Sequence, residues 1–148
     1  MKTAIVYHSE HHDNTKKLLD AIAVEGDVTL IKASDNKNTD LSAYDLIGFA
    51  SGNYYSKFHD SVLEYAERYL PQGKKVFIIY TYGVQKDKCT VGIKQTLDSK
   101  SSQFLGDYGC KGFDTFGPFK LVGGVAKGHP NDEDIAGAVN FFKGISKQ

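Results

Sequence analysis

The residues best suited to chemistry lie between a short apolar run and a helical pattern near the start of the chain. Residues 4–7 form the run, which is too short for a helix and indicates a buried strand. Small, polar or flexible residues follow, and from Asn14 onward apolar residues recur at helical spacing. A helix that begins at such a loop directs backbone N–H groups and the positive end of its dipole toward the loop. The pattern predicts a phosphate site at residues 9–15, here called the phosphate loop.

Six residues of the phosphate loop are candidate ligands. They are Ser9, His11, His12, Asp13, Asn14 and Thr15. Asp13 is expected to contribute only its backbone, because a carboxylate about 4 Å from a phosphate would cost ~4 kcal/mol at a surface-like dielectric. Aspartate also tolerates the left-handed backbone that a tight turn can require. The plainer alternative is that Ser9, Asn14 and Thr15 only cap the helix, which stabilises it by ~1 kcal/mol.

The histidines near these loops have two interpretations. His11 and His12 could be solvated residues of an exposed turn, or they could donate to a phosphate when they are protonated. Neither a cysteine nor an acidic cluster accompanies them, so we expect no metal site. His59 could act as an acid or base, but a structural role is the favoured interpretation.

Two further turns of small residues follow buried strands. The aromatic loop, residues 51–56, contains Ser51, Gly52, Asn53, Tyr54 and Tyr55, and the third loop consists of Thr81, Tyr82 and Gly83. Adjacent aromatic residues just after a strand favour a stacking platform, which adds ~0.5–1.5 kcal/mol beyond burial, although they could also be edge residues of the next helix. Gly52 and Asn53 tolerate unusual backbone angles and form a candidate flexible peptide.

The remaining patterns alternate between strand and helix. Strands are predicted at residues 4–7, 28–32, 44–51 and 75–81 and from residue 103, and helices from residue 14, around 62–69, at 90–97 and at 134–145. Residues 35–42 are predicted to be an irregular connection. This alternation indicates a parallel sheet that is covered on both faces. For the strand order 2-1-3-4-5, the ligand crevice lies between the first and third strands, where the phosphate and aromatic loops begin.

Length and composition limit the function classes. A chain of 148 residues with 41% hydrophobic and 24% charged residues predicts one globular domain over residues 1–148. Eighteen basic residues balance eighteen acidic ones, which argues against nucleic-acid binding and against a polybasic membrane anchor. No signal peptide or spanning segment is expected, and Cys89 and Cys110 fit reduced thiols in a cytoplasmic protein.

Three short segments resemble the loops of one family. Tyr7-x-Ser9 followed by Asn14-Thr15 resembles the phosphate loop of the flavodoxin family, and the aromatic and third loops stand where that family contacts its flavin ring. The resemblance is to the short-chain form and covers essentially the whole chain. It implies a flavodoxin-like three-layer αβα sandwich with five parallel strands in the order 2-1-3-4-5. It also implies non-covalent FMN and a monomeric, non-catalytic carrier of single electrons between a reductase and an acceptor enzyme.

Two other functions fit the same α/β pattern. An FMN-dependent oxidoreductase that uses NAD(P)H and a quinone is the main alternative, but no segment supplies an evident nicotinamide pocket. A receiver-type signalling domain would need an acidic pair after the first strand and an aspartate at the end of the third strand. Tyr7-His8-Ser9 and Ala50-Ser51 supply neither. The Gly- and Phe-rich residues 111–120 could wrap the last strand or offer a partner surface.

Overall fold

The structure, a computed structural model, describes residues 1–10, 12–35, 37, 39–83, 88–113, 124 and 126–147. The strands are β1 (Lys2–His8), β2 (Asp27–Lys32), β3 (Leu46–Gly52), β4 (Lys75–Tyr82) and β5 (Gln103–Lys111). The α-helices are α1 (Asn14–Ala23), α2 (Asp60–Tyr69), α3 (Val91–Ser99) and α4 (Asp132–Ile145). Two single-turn 3-10 helices, Ala33–Asp35 and Leu41–Ala43, lie between β2 and β3.

The five strands form one parallel sheet in the order β2-β1-β3-β4-β5, which confirms the predicted strand order. The register between β1 and β3 pairs His8 with Ser51, so the phosphate loop and the aromatic loop leave the sheet side by side. The register between β3 and β4 pairs Gly52 with Thr81 and brings the third loop to the same edge. The three predicted loops therefore share one edge of the sheet.

Helices cover both faces of the sheet. Alternate strand residues point to opposite sides, and the apolar side chains on each side are buried beneath a pair of helices. Val6 and Phe49 face α2 and α3, whereas Ile5 and Phe77 face α1 and α4. Strands β1, β3 and β4 are buried along nearly their whole length. The predicted three-layer αβα sandwich is confirmed. It holds the three loops at the carboxyl ends of its most deeply buried strands.

Several predicted boundaries were wrong in detail. Helix α1 begins at Asn14 as predicted, but its N-cap is Asp13, in the left-handed conformation, and not Asn14 or Thr15. Helix α4 begins at Asp132 rather than at residue 134, because Asn131 forms a capping box with Asp134. The connection at 35–42 ends in a 3-10 turn that Asp40 caps, and β3 begins two residues later than predicted.

Two properties of the described residues bear on the class of protein. Cys89 and Cys110 are both buried and form no disulfide, and burial raises the pKa of Cys110 to about 12, so its thiol stays protonated. Within the described ranges, no helix combines the length and the apolar character that crossing a bilayer requires.

Candidate functional site

The phosphate loop turns sharply before α1. His12 and Asp13 both have positive φ, 68° and 54°, and Asp13 adopts the left-handed conformation that was expected of it. Its carboxylate is exposed and makes no capping hydrogen bond. Ser9 acts as the capping group instead, since its Oγ accepts a hydrogen bond of 3.1 Å from the backbone N–H of Lys16. The hydroxyl hydrogen of Ser9 is thereby left for another acceptor.

Asn14 and Thr15 turn their side chains inward. Asn14 Nδ2 donates to the carbonyl of Phe113 at 2.7 Å, and its Oδ1 is buried without a hydrogen bond to any described residue. Gly112 makes this approach possible, because a Cβ there would lie 2.7 Å from Asn14 Nδ2. Thr15 Oγ1 lies 2.9 Å from Thr81 Oγ1, and this buried contact ties the phosphate loop to the third loop.

The aromatic loop is fixed at its base by Ser51. Ser51 Oγ accepts from the backbone N–H of His59 at 3.0 Å and donates to the carbonyl of Gly52 at 2.7 Å. Beyond it, Tyr54 and Lys57 exchange backbone hydrogen bonds of 2.8 and 3.2 Å across a two-residue turn. Both residues of the turn have positive φ, 53° at Tyr55 and 64° at Ser56. Such backbone is costly for residues other than glycine and is concentrated at functional loops.

The two tyrosines of the aromatic loop do not form one platform. Tyr54 folds inward, where its ring meets the rings of His8 and His59 edge-on at 5.6 and 5.0 Å. Burial, with a smaller effect of the Glu10 carboxylate, raises the pKa of Tyr54 to about 12, so its phenol is neutral. Tyr55 instead exposes 82% of its surface at the tip of the turn. Of the two rings, only that of Tyr55 is presented outward from the loop.

The third loop continues from β4 at the same edge. Tyr82 lies half-buried with its ring 6.1 Å from that of Tyr80, and its carbonyl accepts from the N–H of Gly112 at 2.8 Å. Gly112 thus makes two contacts. Its backbone N–H binds the third loop, and its lack of a side chain lets Asn14 pack against its Cα. The end of β5 holds the phosphate loop and the third loop together.

Histidines form a cluster behind the aromatic loop. The rings of His8 and His59 stack at 3.6 Å with an angle of 6° between their planes. His59 is the N-cap of α2, because its Nδ1 accepts from the backbone N–H of Ser61 at 3.2 Å, which supports the structural interpretation of this residue. Burial lowers the pKa of His8, its neighbour His59 lowers it further, and Glu10 offsets this only in part. His8 is therefore neutral at pH 7.

The structure brings most of the predicted site residues to one edge of the sheet. Buried members are Asn14, Thr15, Ser51 and Thr81; half-buried members are Ser9, Gly52, Asn53, Tyr54, Tyr82 and Gly83; exposed members are His12, Asp13 and Tyr55. His11 lies outside the described residues, as do residues 114–120 of the Gly- and Phe-rich segment. The His12 ring packs against Phe113 at 4.4 Å, and its predicted contact with a phosphate stays a prediction.

Sequence reasoning missed three residues that shape this edge. His8 continues the alternation of Ala4 and Val6 on the face toward α2, so the strand period could have placed it under the aromatic loop. Gly112 and Phe113 act through close approach across the sheet edge, and no local pattern signals such a contact.

Comparison with known proteins agrees with this geometry. The family model described as a flavodoxin domain matches residues 4–112. This chain belongs to the flavodoxin family. A relative from Methanocaldococcus jannaschii, an uncharacterized protein, is 39% identical over 149 residues, which cover 99% of each chain.

Solved flavodoxins share the fold at low sequence identity. A flavodoxin from the domain Archaea superposes with a TM-score of 0.74 at 21% identity, over 99% of this chain and 97% of the other. The Fusobacterium nucleatum flavodoxin, solved with bound flavin mononucleotide, gives a TM-score of 0.69 at 12% identity, over 99% and 98% of the two chains. At such identities the likeness establishes the arrangement of strands and helices and not the chemistry of the loops.

Proposed function

We propose that this flavodoxin-family protein binds FMN without a covalent bond at the edge formed by the three loops, and that it carries single electrons between redox proteins. The observation that carries the proposal is the buried contact between Thr15 and Thr81, at 2.9 Å. It joins a helix N-terminus suited to a phosphate to a loop that carries an aromatic ring. When bound, the flavin supplies reversible one-electron chemistry.

The hydrogen-bond donors of the phosphate loop suit a terminal phosphate. The first N–H groups of α1, at Asn14 and Thr15, have no partner within the helix, and the helix dipole favours an anion there. The Ser9 hydroxyl keeps its hydrogen because its oxygen already accepts from Lys16. The buried Oδ1 of Asn14 is an acceptor suited to a hydroxyl of the sugar-alcohol chain. The residues present therefore fit FMN.

The other two loops fit the flavin ring. Tyr55 presents an exposed aromatic surface on one side of the edge, and Tyr82 lies half-buried in the third loop. Gly52 ends β3 and Asn53 follows it, and a backbone that can change conformation there can adjust to the redox state of the ring. Their role is to position the ring and to tune its potential.

The proposal is tested by reconstitution of the purified protein with FMN. We expect one FMN per chain and reduction by a chemical titrant in two separate one-electron steps. NADPH or NADH alone should not reduce the bound flavin, because a carrier receives electrons from a partner protein. A protein that binds no FMN would refute the proposal, and rapid reduction by NAD(P)H with turnover of a quinone would establish the enzymatic alternative instead.

The potential of the second electron is predicted to depend only weakly on ionic strength. Residues in and near the loops are balanced in charge: Lys57, Lys86, Lys88 and Lys111 against Asp60, Asp87, Asp107 and Asp114. Two of these acids are paired in the structure, Asp60 with Lys57 at 2.8 Å and Asp107 with Lys94 at 2.9 Å, whereas Lys86, Asp87 and Asp114 lie outside the described residues. Paired charges contribute little field beyond ~8 Å at physiological salt.

Redox titration at low and high salt checks this expectation. A balanced surface opposes the second electron less than an acidic one does, so its potential should be less negative than in a flavodoxin with a strongly acidic surface. The same balance predicts weak electrostatic steering toward a basic partner. A very negative potential that rises strongly with salt would show that local carboxylates such as Glu10 and Asp13 dominate.

Gly112→Ala is expected to weaken FMN binding although Gly112 need not touch the ligand. Its new Cβ would press on the Asn14 side chain and move the first residue of α1. Loss of one hydrogen bond to a charged group costs about 1.5 kcal/mol, roughly a tenfold loss of affinity. Flavin fluorescence measures the change. Gly144→Ala is the matched control, because a Cβ there meets open space, and equal affinities in the two variants would contradict the role of Gly112.

A further inference from the structure

Two imidazoles and one carboxylate converge beside the aromatic loop. His8 at the end of β1, Glu10 in the phosphate loop and His59 at the N-cap of α2 each offer one ligand atom, and these atoms lie within 4.8 Å of one another. His8 is only 5% exposed, whereas the Glu10 side chain is 56% exposed and leaves the cluster open to solvent. The cluster therefore combines a buried floor with an entry path.

His8 Nε2 is the buried atom of this cluster that has no hydrogen bond to the described residues. It lies 3.0 Å from Glu10 Oε1, a separation at which the two atoms would form an ion pair if His8 were protonated. On the other side of the rings, Ser61 Oγ lies 2.8 Å from His59 Nδ1 and 3.5 Å from His8 Nδ1. Ser61 thus engages the Nδ1 atoms, and Nε2 is the nitrogen that each ring can offer to another partner.

We propose that His8, Glu10 and His59 form a binding site for a divalent transition-metal ion, with Zn²⁺ as the best match. Two histidines and one carboxylate are a common three-residue zinc ligand set, which leaves the fourth position to water. Imidazole ligands favour zinc over magnesium and calcium, which prefer oxygen ligands alone. Ser61 is the residue that orients the rings from behind, as hydrogen-bond partners of ligating histidines do.

Ion binding requires a small rearrangement. A nitrogen lone pair lies in the plane of its ring, so rings stacked 3.6 Å apart cannot both aim at one ion until they turn away from each other. Coordination through His59 Nε2 also moves the ring proton to Nδ1, where Ser61 Oγ at 2.8 Å accepts it in place of the weaker bond from the Ser61 N–H. The site is consequently weaker than a rigid zinc site, and the ion connects the end of β1 to the start of α2.

This proposal does not rest on the proposed function, although Glu10 belongs to the phosphate loop. None of its three residues is needed as a ligand of FMN, and the candidate flavin contacts of Tyr55 and Tyr82 lie outside it. The two Nε2 atoms and Glu10 would bind the same ion in protein with or without the flavin. Failure to bind FMN would leave this proposal standing, and failure to bind zinc would leave the flavin proposal standing.

Calorimetric titration of the purified protein with Zn²⁺ tests the proposal, with Mg²⁺ as the comparison ion. We expect one Zn²⁺ per chain, no binding of Mg²⁺ at the same concentration, and a higher melting temperature in the presence of Zn²⁺ because the ion binds only the folded state. Nuclear magnetic resonance signals of the His8 and His59 rings should shift on addition of Zn²⁺, whereas those of His129 should not.

Two variants and one control separate the site from other surface histidines. Glu10→Gln removes the charge at an exposed position, and His59→Ser removes the imidazole but keeps a residue that caps α2. Each removes a proposed ligand and should therefore weaken Zn²⁺ binding by more than the roughly tenfold that loss of an outer-shell partner costs. His129→Gln removes an imidazole that pairs with Asp134 at 2.6 Å elsewhere in the fold and should leave the affinity unchanged. No heat of binding, or equal affinity in Glu10→Gln, His59→Ser and the parent protein, would overturn the proposal.

Discussion

Riboflavin, which lacks only the phosphate, is expected to bind roughly a thousandfold more weakly than FMN. The phosphate loop offers three donors to that group: the Ser9 hydroxyl and the first N–H groups of α1, at Asn14 and Thr15. A hydrogen bond to a charged group contributes about 1.5–3 kcal/mol, so three bonds lost together exceed ~4 kcal/mol. That free energy corresponds to a factor of about a thousand in Kd.

Quenching of flavin fluorescence measures both affinities on the same protein. Ser9→Ala is the informative variant, because it removes one donor and also the cap of the Lys16 N–H. FMN affinity should fall in this variant and riboflavin affinity should change little. The ratio of FMN affinity to riboflavin affinity should therefore fall by about tenfold, because one hydrogen bond to a charged group contributes about that factor. Equal affinities of the parent protein for both flavins would show that the phosphate loop is not the anchor.

The order of the elements and the position of the three loops could be predicted from the sequence. Apolar runs of strand length, each followed by a helical period, determine a parallel sheet, and the carboxyl ends of its strands must lie at one edge. Ser9, Ser51 and Thr81 each stand just before or just after such an end, so their meeting follows from the topology. Asp13 took its left-handed backbone because its short side chain tolerates it.

Side-chain directions at that edge could not be predicted. Tyr54 and Tyr55 are neighbours in sequence, but the positive φ at Tyr55 reverses the chain and sends the two rings to different environments. The surroundings of His8 could not be predicted either, because its ring stacks on that of His59, fifty-one positions away. The need for glycine at position 112 becomes clear only from the structure, where the Asn14 side chain packs directly against it. Contacts between distant segments decide these details, and a single sequence does not encode them in any local period.

Replacement of Gly48 by alanine is expected to destabilise the protein by about 3 kcal/mol. Gly48 lies in the middle of β3 and pairs with Phe77 of β4, and a Cβ at Gly48 would lie only 2.3–2.9 Å from three atoms of the Phe77 ring. That ring is fully buried and is held in place by Phe141 and Phe142, at 6.3 and 6.0 Å between centroids. Overpacking at a site that cannot relax costs about 1–3 kcal/mol and sometimes more. The total stability of a small domain is only about 5–15 kcal/mol.

Urea unfolding of Gly48→Ala, Phe77→Leu and the double variant determines whether the clash is the cause. Phe77→Leu alone should be destabilising because it leaves a cavity, but in the double variant the new methyl group occupies part of that cavity. The two effects should therefore fail to add, with the double variant more stable than their sum by about 1 kcal/mol or more. Gly26→Ala is the control, because a Cβ at Gly26 meets open space. Its free energy of unfolding should lie within about 0.5 kcal/mol of that of the parent protein. Strict additivity would mean that the new methyl group does not clash with the Phe77 ring. The cost of Gly48→Ala would then come from the backbone of β3.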